Sequence, residues 1–311
     1  MKSLRIGIVG AGVFGGYHAA KVAAHPRAVL SGVQDHSLEK ACKLAARHGA
    51  IAFETLAELL ADSDAVIVAC SAKGHGDTAL AAIRARKAVL IEKPIAHTIA
   101  LAEQIVNNAK AANVIIQVGH QERFVARAIG LDQIEEVPRV IRAWRHGPYS
   151  DRGTDVSVAL DLMTHDMDLV LWLVGLDPLS VSGSAQTVHS KTADRATAHL
   201  KFANTEVELS ASRVAESSHR VMEIEYESGL VRIDFNAKRL ENRSMHMLNP
   251  DFGDDPQARD SLGAATDAFI AAVLDGAPVP ITGGMGLRAL RYAQAATEQV
   301  AESKAPAEGE D

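Results

Sequence analysis

Two short clusters in this 311-residue chain combine residue types that do chemistry. The first is Glu92-Lys93-Pro94, directly after the apolar run Ala88-Val-Leu-Ile91. Four apolar residues, two of them β-branched, have the pattern of a buried strand in a parallel sheet. Ligands of open α/β sheets sit beyond the carboxyl ends of such strands. A carboxylate and an ammonium at that point therefore face a ligand crevice, and the proline ends the strand. The second cluster is Asp161-Leu-Met-Thr-His165-Asp-Met-Asp168. On a helix, Asp161, His165 and Asp168 share one face. A carboxylate one turn from an imidazole orients the ring and raises its basicity, which prepares a general base. Carboxylates and an imidazole can also ligate a metal, but no matching ligands occur elsewhere, so none is expected.

Between the clusters lie Arg123, Arg127, Arg139, Arg142, Arg145, His146 and Arg152. Guanidinium forks match phosphate oxygens, which makes Arg123, Arg145 and Arg152 candidates for a phosphate-bearing substrate. The same run also fits the solvated face of a strand, with Arg142 opposite in phase to Trp144; the spacing leaves both readings open.

The elements that must position these groups follow a rhythm. Leu4–Val9 is predicted as a strand running into Gly10-Ala-Gly12-Val13-Phe14-Gly15, then a helix to Ala24 stopped by Pro26, then a strand Ala28–Gln34 with Asp35 at its end. A GxGxxG between a strand and a helix, with an acid at the next strand end, is the context of a dinucleotide site. Its glycines serve a tight turn, close approach to a pyrophosphate and helix–strand packing, while the helix N-terminus favours the anion. Asp35 suits the ribose hydroxyls and repels a 2′-phosphate, which favours NAD over NADP.

Alternation continues through helix Leu38–Arg47, strand Ala65–Cys70, helix Thr78–Arg86, strand Ala88–Ile91, helix Ile99–Ala112 and strand Val114–Val118. It predicts a doubly wound parallel sheet of five or six strands. After Gly119 the rhythm changes: Val137–Arg145 is extended, Val156–Leu173 has helical spacing, and alternating runs from Leu179 to Asp234 predict an antiparallel sheet. Residues 242–263 read as a long loop, Ala264–Leu274 and Met285–Ala301 as helices, and Ala305–Asp311 as a mobile acidic tail. The predicted fold class is α/β: a Rossmann domain over residues 1–120 and an α+β domain with a large, mostly antiparallel open sheet over 121–311.

Composition narrows the function. A chain that is 47% hydrophobic and 23% charged is globular rather than disordered. The net charge of −7, with no basic block, points away from nucleic acid. Cys42 and Cys70 have no zinc spacing and fit a reducing compartment. Glycines interrupt the apolar N-terminus, unlike a signal peptide. The most apolar later segment, Val156–Gly175, carries Asp161, His165, Asp166 and Asp168, too many charges for a bilayer. A cytoplasmic protein with no membrane partner is expected.

Taken together, Gly10-x-Gly12-x-x-Gly15, His75, Glu92-Lys93-Pro94 and Asp161-x-x-x-His165 resemble the glucose-fructose oxidoreductase / inositol dehydrogenase (Gfo/Idh/MocA) family over nearly the whole chain. The resemblance implies NAD as cofactor, held by Gly10, Gly12, Val13, Phe14, Gly15 and Asp35, with Ser71, His75, Glu92 and Lys93 completing that site. It implies that Lys93 and His165 are the catalytic pair supported by Asp161, that Lys93-Pro94 is a cis bond, and that the open sheet builds a homodimer or homotetramer. Within the family, Val118-Gly-His-Gln-Glu-Arg-Phe124 and the Asp161–Asp168 stretch are similar to the nucleotide-sugar members, which oxidise C3 of UDP-N-acetylglucosamine or its uronic acid. Dehydrogenation of an unphosphorylated sugar or inositol is the alternative. Others are a non-catalytic NAD-sensing regulator and a lyase or glycosidase that uses NAD transiently. Either His165 or a lysine of depressed pKa at position 93 could be the base.

Overall fold

A computed structural model describes residues 3–298. The end of the predicted last helix and the tail Ala305–Asp311 lie outside the described residues. The chain divides into two compact units. One comprises the residues up to Ile134, Lys238–Leu240 and His246–Leu290. The other comprises Glu135–Ala237, Glu241–Met245 and the described residues from Arg291.

The first unit alternates strand and helix: β1 Leu4–Val9, α1 Val13–Ala24, β2 Ala28–Gln34, α2 Leu38–Arg47, β3 Ile51–Phe53, α3 Leu56–Ala61, β4 Ala65–Val68, α4 Ala72–Arg84, β5 Ala88–Ile91, α5 Ile99–Ala112, β6 Ile116–Val118 and α6 Glu122–Ile129. Its six strands are parallel, in the order β3-β2-β1-β4-β5-β6. This is the doubly wound sheet read from the alternation, and its order reverses between β1 and β4, the switch point where ligands bind. Strands β4 and β5 are nearly all buried, as uninterrupted apolar runs covered on both faces must be.

The second unit holds β7 Val140–His146, a π-helical turn Ala159–Met163 leading into α7 Thr164–Val174, and β8 Ser180–Gln186, β9 Arg195–Lys201, β10 Glu206–Ser212, β11 His219–Tyr226, β12 Gly229–Asp234 and β13 Arg239–Asn242. Its seven-stranded sheet has the order β13-β12-β11-β7-β10-β9-β8. It is mostly antiparallel, with β7 and β10 parallel. Period-2 burial turns Ile141, Ala143 and Arg145 inward with Val207, Leu209, Ala198 and Leu200, under the π turn and α7. Arg142 and Trp144, two residues apart, share the outer face, contrary to the opposite phase read from sequence. There Arg142 lies 3.8 Å from Glu208 and 3.7 Å from Glu225.

The chain then runs through α8 Pro256–Arg259, α9 Ser261–Asp275 and α10 Gly283–Glu298. The expected loop at 242–263 thus contains helical turns. Its turn formers are caps: the Asp255 carboxylate accepts from Gln257 N–H ahead of Pro256, and Asp260 accepts from Gly263 N–H. Helix α9 returns Phe269 and Ile270 to the core formed by Leu4, Ile6, Ile8, Val22, Ile67 and Leu90. Each such side chain contributes about 1.5–3 kcal/mol by leaving water.

Candidate active site

Each glycine of the first turn has its own steric reason. Gly10 has φ +104°, and a Cβ there would stand 2.6 Å from the Ala69 carbonyl oxygen and the Cys70 nitrogen. A Cβ on Gly15 would overlap the Gly10 carbonyl, so α1 can pack this closely only without one. Around Gly12 there is open space, which leaves the backbone approachable. Helix α1 begins at Gly12 with no side-chain cap, and α4 begins at Ser71 likewise. By contrast α2, α3 and α5 are closed by Ser37, Thr55 and Thr98. Helices α6 and α7 also start without a side-chain cap, but the N-termini of α1 and α4 follow β1 and β4, the strands on either side of the switch point. Their N–H groups suit a pyrophosphate.

Asp35 ends β2 with only 8% of its side chain exposed. Oδ2 accepts from Ala11 N–H at 2.7 Å and Oδ1 from Ser37 N–H at 2.9 Å. The acid thereby ties the glycine turn to its own strand end; His36 Nδ1 also lies 3.0 Å from Oδ1, and Oδ2 keeps a further lone pair for a ribose hydroxyl. Val13 is half exposed, and Phe14 stacks edge-on against Tyr17 at 6.0 Å. This turn fits a dinucleotide.

At the end of β5, Glu92 is buried, Lys93 is half-buried and the Lys93–Pro94 peptide is cis. The Glu92 carboxylate meets His18 Nε2 at 2.8 Å and accepts from Gln121 Nε2 at 3.4 Å; a Cβ on Gly119 would press on it at 2.8 Å. Burial alone would push the Glu92 carboxyl up, but the His18 hydrogen bond and nearby cationic groups hold it below its ordinary value. His75 is buried on α4, with Nδ1 2.7 Å from the Pro94 carbonyl and Nε2 3.2 Å from that of Cys70. Burial holds its pKa below the ordinary imidazole value, although those carbonyls favour the proton. Both ring nitrogens are turned to the protein's own backbone, so His75 braces the Lys93-Pro94 turn. Sequence reasoning passed over His18. The signal was available: Gly15, His18, Ala19 and Val22 form the buried stripe of α1.

In the second unit, Asp161 lies in the π turn and His165 begins the next turn; both are half-buried while Met163, Thr164 and Asp166 are buried. Single π turns recur at functional sites because they redirect side chains. Asp168 is also buried. Gly153, at φ +69°, packs its Cα against the Asp161 carboxylate so closely that a Cβ would overlap it.

The arginines part company. Arg145 is buried and grips Asp166 with both forks, Nε to Oδ2 at 2.9 Å and Nη2 to Oδ1 at 2.7 Å. Arg123 is buried with Nη1 3.3 Å from Met285 Sδ, and Arg152 is exposed. Arg139 pairs with Glu227 at 2.9 Å. Among the described residues no cluster of His, Cys, Asp and Glu could hold a metal ion.

Residues 4–120 match the family model described as an oxidoreductase family with an NAD-binding Rossmann fold, and residues 136–232 match the GFO/IDH/MocA C-terminal domain. The chain belongs to the GFO/IDH/MocA oxidoreductase family. It is similar to the UDP-N-acetylglucosamine 3-dehydrogenase of Acidithiobacillus ferrooxidans, 32% identical over 94% of this chain and 96% of that one. A solved structure of that enzyme superposes with a TM-score of 0.87 over 97% of this chain and 98% of the other. The inositol 2-dehydrogenase of Rhizobium meliloti is 28% identical over 97% of this chain and 98% of its own. GenD2 from gentamicin A biosynthesis, solved with NAD, shares the fold at TM-score 0.83 and 22% identity, over 98% of this chain and 96% of that one. The protein is therefore an NAD-dependent dehydrogenase acting on CH–OH groups, as the family resemblance implied, with NAD the cofactor also read from the Gly10–Gly15 turn and Asp35. Among the described residues no helix is long and apolar enough to cross a membrane.

Proposed function

We propose that the enzyme reversibly oxidises a secondary alcohol on the sugar ring of a nucleotide sugar, with C3 of UDP-N-acetylglucosamine or its uronic acid as the preferred position. One observation carries the choice of substrate. The full-length similarity to a UDP-N-acetylglucosamine 3-dehydrogenase comes with Lys93, Asp161 and His165 all present. The Gly10–Gly15 turn and the α4 N-terminus at Ser71 hold the dinucleotide phosphates, and Asp35 holds the adenosine ribose. NAD, when bound, accepts the hydride that leaves the carbinol carbon. His165 takes the hydroxyl proton while Asp161 keeps its ring oriented, and Lys93 stabilises the negative charge developing on the oxygen. Arg123 and Arg152 are the proposed cations for the substrate phosphates, whereas Arg145 is gripped by Asp166.

The test is NADH formation from UDP-N-acetylglucosamine, followed by absorbance. Lys93→Met and His165→Asn should each lower turnover at least about a hundredfold with NAD affinity preserved. Normal turnover in both variants would sink the assignment. Free imidazole should restore His165→Ala if that residue is the base; no restoration would pass the role to Lys93.

A second reading, an unphosphorylated sugar or inositol dehydrogenase, gains from one observation. Arg139, Arg142 and Arg145 all lie against acidic side chains, so little of the basic stretch remains for a phosphate. Faster turnover of myo-inositol than of any UDP-sugar would select it. The outer face of the seven-stranded sheet, with Trp144 near its centre, is the surface proposed for a homodimer or homotetramer. Light scattering should give two or four chains for the wild type and fewer for Trp144→Glu.

A further inference from the structure

A buried scaffold stands behind Asp161, and the proposed chemistry leaves it unused. Arg213, just past β10, is buried and offers its guanidinium to three carbonyls. Nη1 donates to Gly153 O at 2.6 Å, and Nη2 to Val156 O at 2.8 Å and Ala193 O at 2.9 Å. Nε stands 3.4 Å from Asp194 Oδ1. Asp194, with no exposed surface, closes its own loop. Its Oδ2 accepts from the N–H groups of Val188, His189 and Ser190 at 2.8, 2.7 and 2.9 Å, and its Oδ1 accepts from Ser190 Oγ at 2.7 Å. The Thr192 hydroxyl reaches Val156 O at 2.9 Å, and Val158 N–H donates to Ala193 O at 2.8 Å.

The bonds from Arg213 to Gly153 O and Val156 O, from Thr192 to Val156 O and from Val158 N–H to Ala193 O converge on one stretch, Gly153–Val158, which enters the π turn, while Asp194 holds the loop that faces it. At its start Gly153 abuts the Asp161 carboxylate. At its end Ser157 O receives Asp161 N–H at 2.9 Å. A loop that served only to connect β7 to α7 would not need a buried cation on its carbonyls. Nε makes no hydrogen bond and has only the Asp194 charge beside it, so the buried guanidinium depends on the carbonyls at Nη1 and Nη2 and thereby fixes their geometry.

We propose that Arg213, buttressed by Asp194, is a positioning residue that holds Asp161, and through it His165, in working geometry. This rests on the roles given to Asp161 and His165 above. Neither Arg213 nor Asp194 touches substrate or cofactor in this account.

The experiment uses the full chain saturated with NAD. Arg213→Lys keeps the charge but loses the fork, and it should lower kcat tenfold or more while the KM for NAD stays within about twofold. Adding Arg213→Lys to Asp161→Asn should slow the enzyme no further, because nothing remains to be positioned. Additive losses, or an unchanged kcat with only a lower melting temperature, would overturn the proposal. Thr55→Ala, in the other unit, controls for lost stability alone. A second readout needs no substrate: amide hydrogen exchange over residues 153–165 should quicken in Arg213→Lys while the Gly10–Ala24 segment is unchanged. Unaltered exchange at 153–165 would also overturn it. A wild type inert toward every alcohol would instead defeat the functional reading and leave the exchange to decide this one. Should Arg213→Lys fail to fold, Gly153→Ala perturbs Asp161 from the other side and is expected to show the same split between kcat and KM.

Discussion

His75 shows how much one buried ring can dictate. A neutral imidazole donates from one nitrogen only, and the 2.7 Å approach to the Pro94 carbonyl marks Nδ1 as that donor. Since burial depresses its pKa, the unfolded chain takes up a proton first, at about pH 6.5. Stability is then lost as pH falls from there toward the folded pKa. His146, half-buried beside His219, has the same sign. Glu92 and Asp194 act lower. Burial opposes their charge, but hydrogen bonds from His18 and from Ser190, His189 and Val188 outweigh it and hold both carboxyls down. Their stabilisation is present above the ordinary carboxylate range, about pH 4, and is lost as pH falls through the folded values. The urea midpoint should therefore decline in two stages on acidification. His75→Gln should flatten the upper stage and leave the lower one; an unchanged upper stage would remove His75 from this account. At the cofactor, Asp35→Ala should raise the KM for NAD about tenfold and narrow the preference over NADP, since a repulsive charge and a ribose acceptor are lost together.

At the scale of elements, stability rests on ends and pairs. Helix α3 is closed by a capping box: Thr55 Oγ1 accepts from Glu58 N–H at 3.2 Å, and the Glu58 carboxylate accepts from Thr55 N–H at 2.9 Å. Thr55→Ala should cost about 1 kcal/mol, read as a lower denaturation midpoint at constant slope. The Arg145–Asp166 fork joins β7 to α7 in the interior. Arg145→Met alone should cost about 3–5 kcal/mol by stranding Asp166, and adding Asp166→Leu should recover most of it. Recovery is the diagnostic outcome; without it the pair does more than neutralise itself.

These elements also show what the sequence could reveal. The βαβ rhythm, the glycine turn and the strand ending at Glu92-Lys93-Pro94 were legible because period and punctuation agree there. Strand β3 was not, since three residues carry no period. Helix α4 starts earlier than its apolar spacing suggested, because Gly74 and Gly76 sit inside it, Gly76 directly beneath Leu101. The caps Asp255 and Asp260 looked like turn formers because the two jobs use the same side chains. Arg145 looked like a phosphate ligand until its partner Asp166, twenty-one residues on, was known. Long-range pairing of that kind leaves no local trace, and neither does the Asp194–Arg213 scaffold.

For the whole molecule, the path of the chain matters more than the boundary between its units. The parallel core is assembled from the first 134 residues, yet Phe269 and Ile270 of α9 lie buried in it. Gln117 Nε2 donates to Ala265 O at 2.8 Å, and Arg27 holds Asp275 with both nitrogens at 2.9 and 2.6 Å. A fragment ending at Ile134 should therefore bind the dye ANS and aggregate, whereas residues 1–134 expressed together with 246–290 should recover a cooperative transition. The same geometry sets an order of events during synthesis. The nucleotide-binding unit is translated first but lacks part of its own interior until α9, Ser261–Asp275, has followed. A nascent chain stalled before that point exposes an unfinished hydrophobic surface, and a chaperone would find its target there.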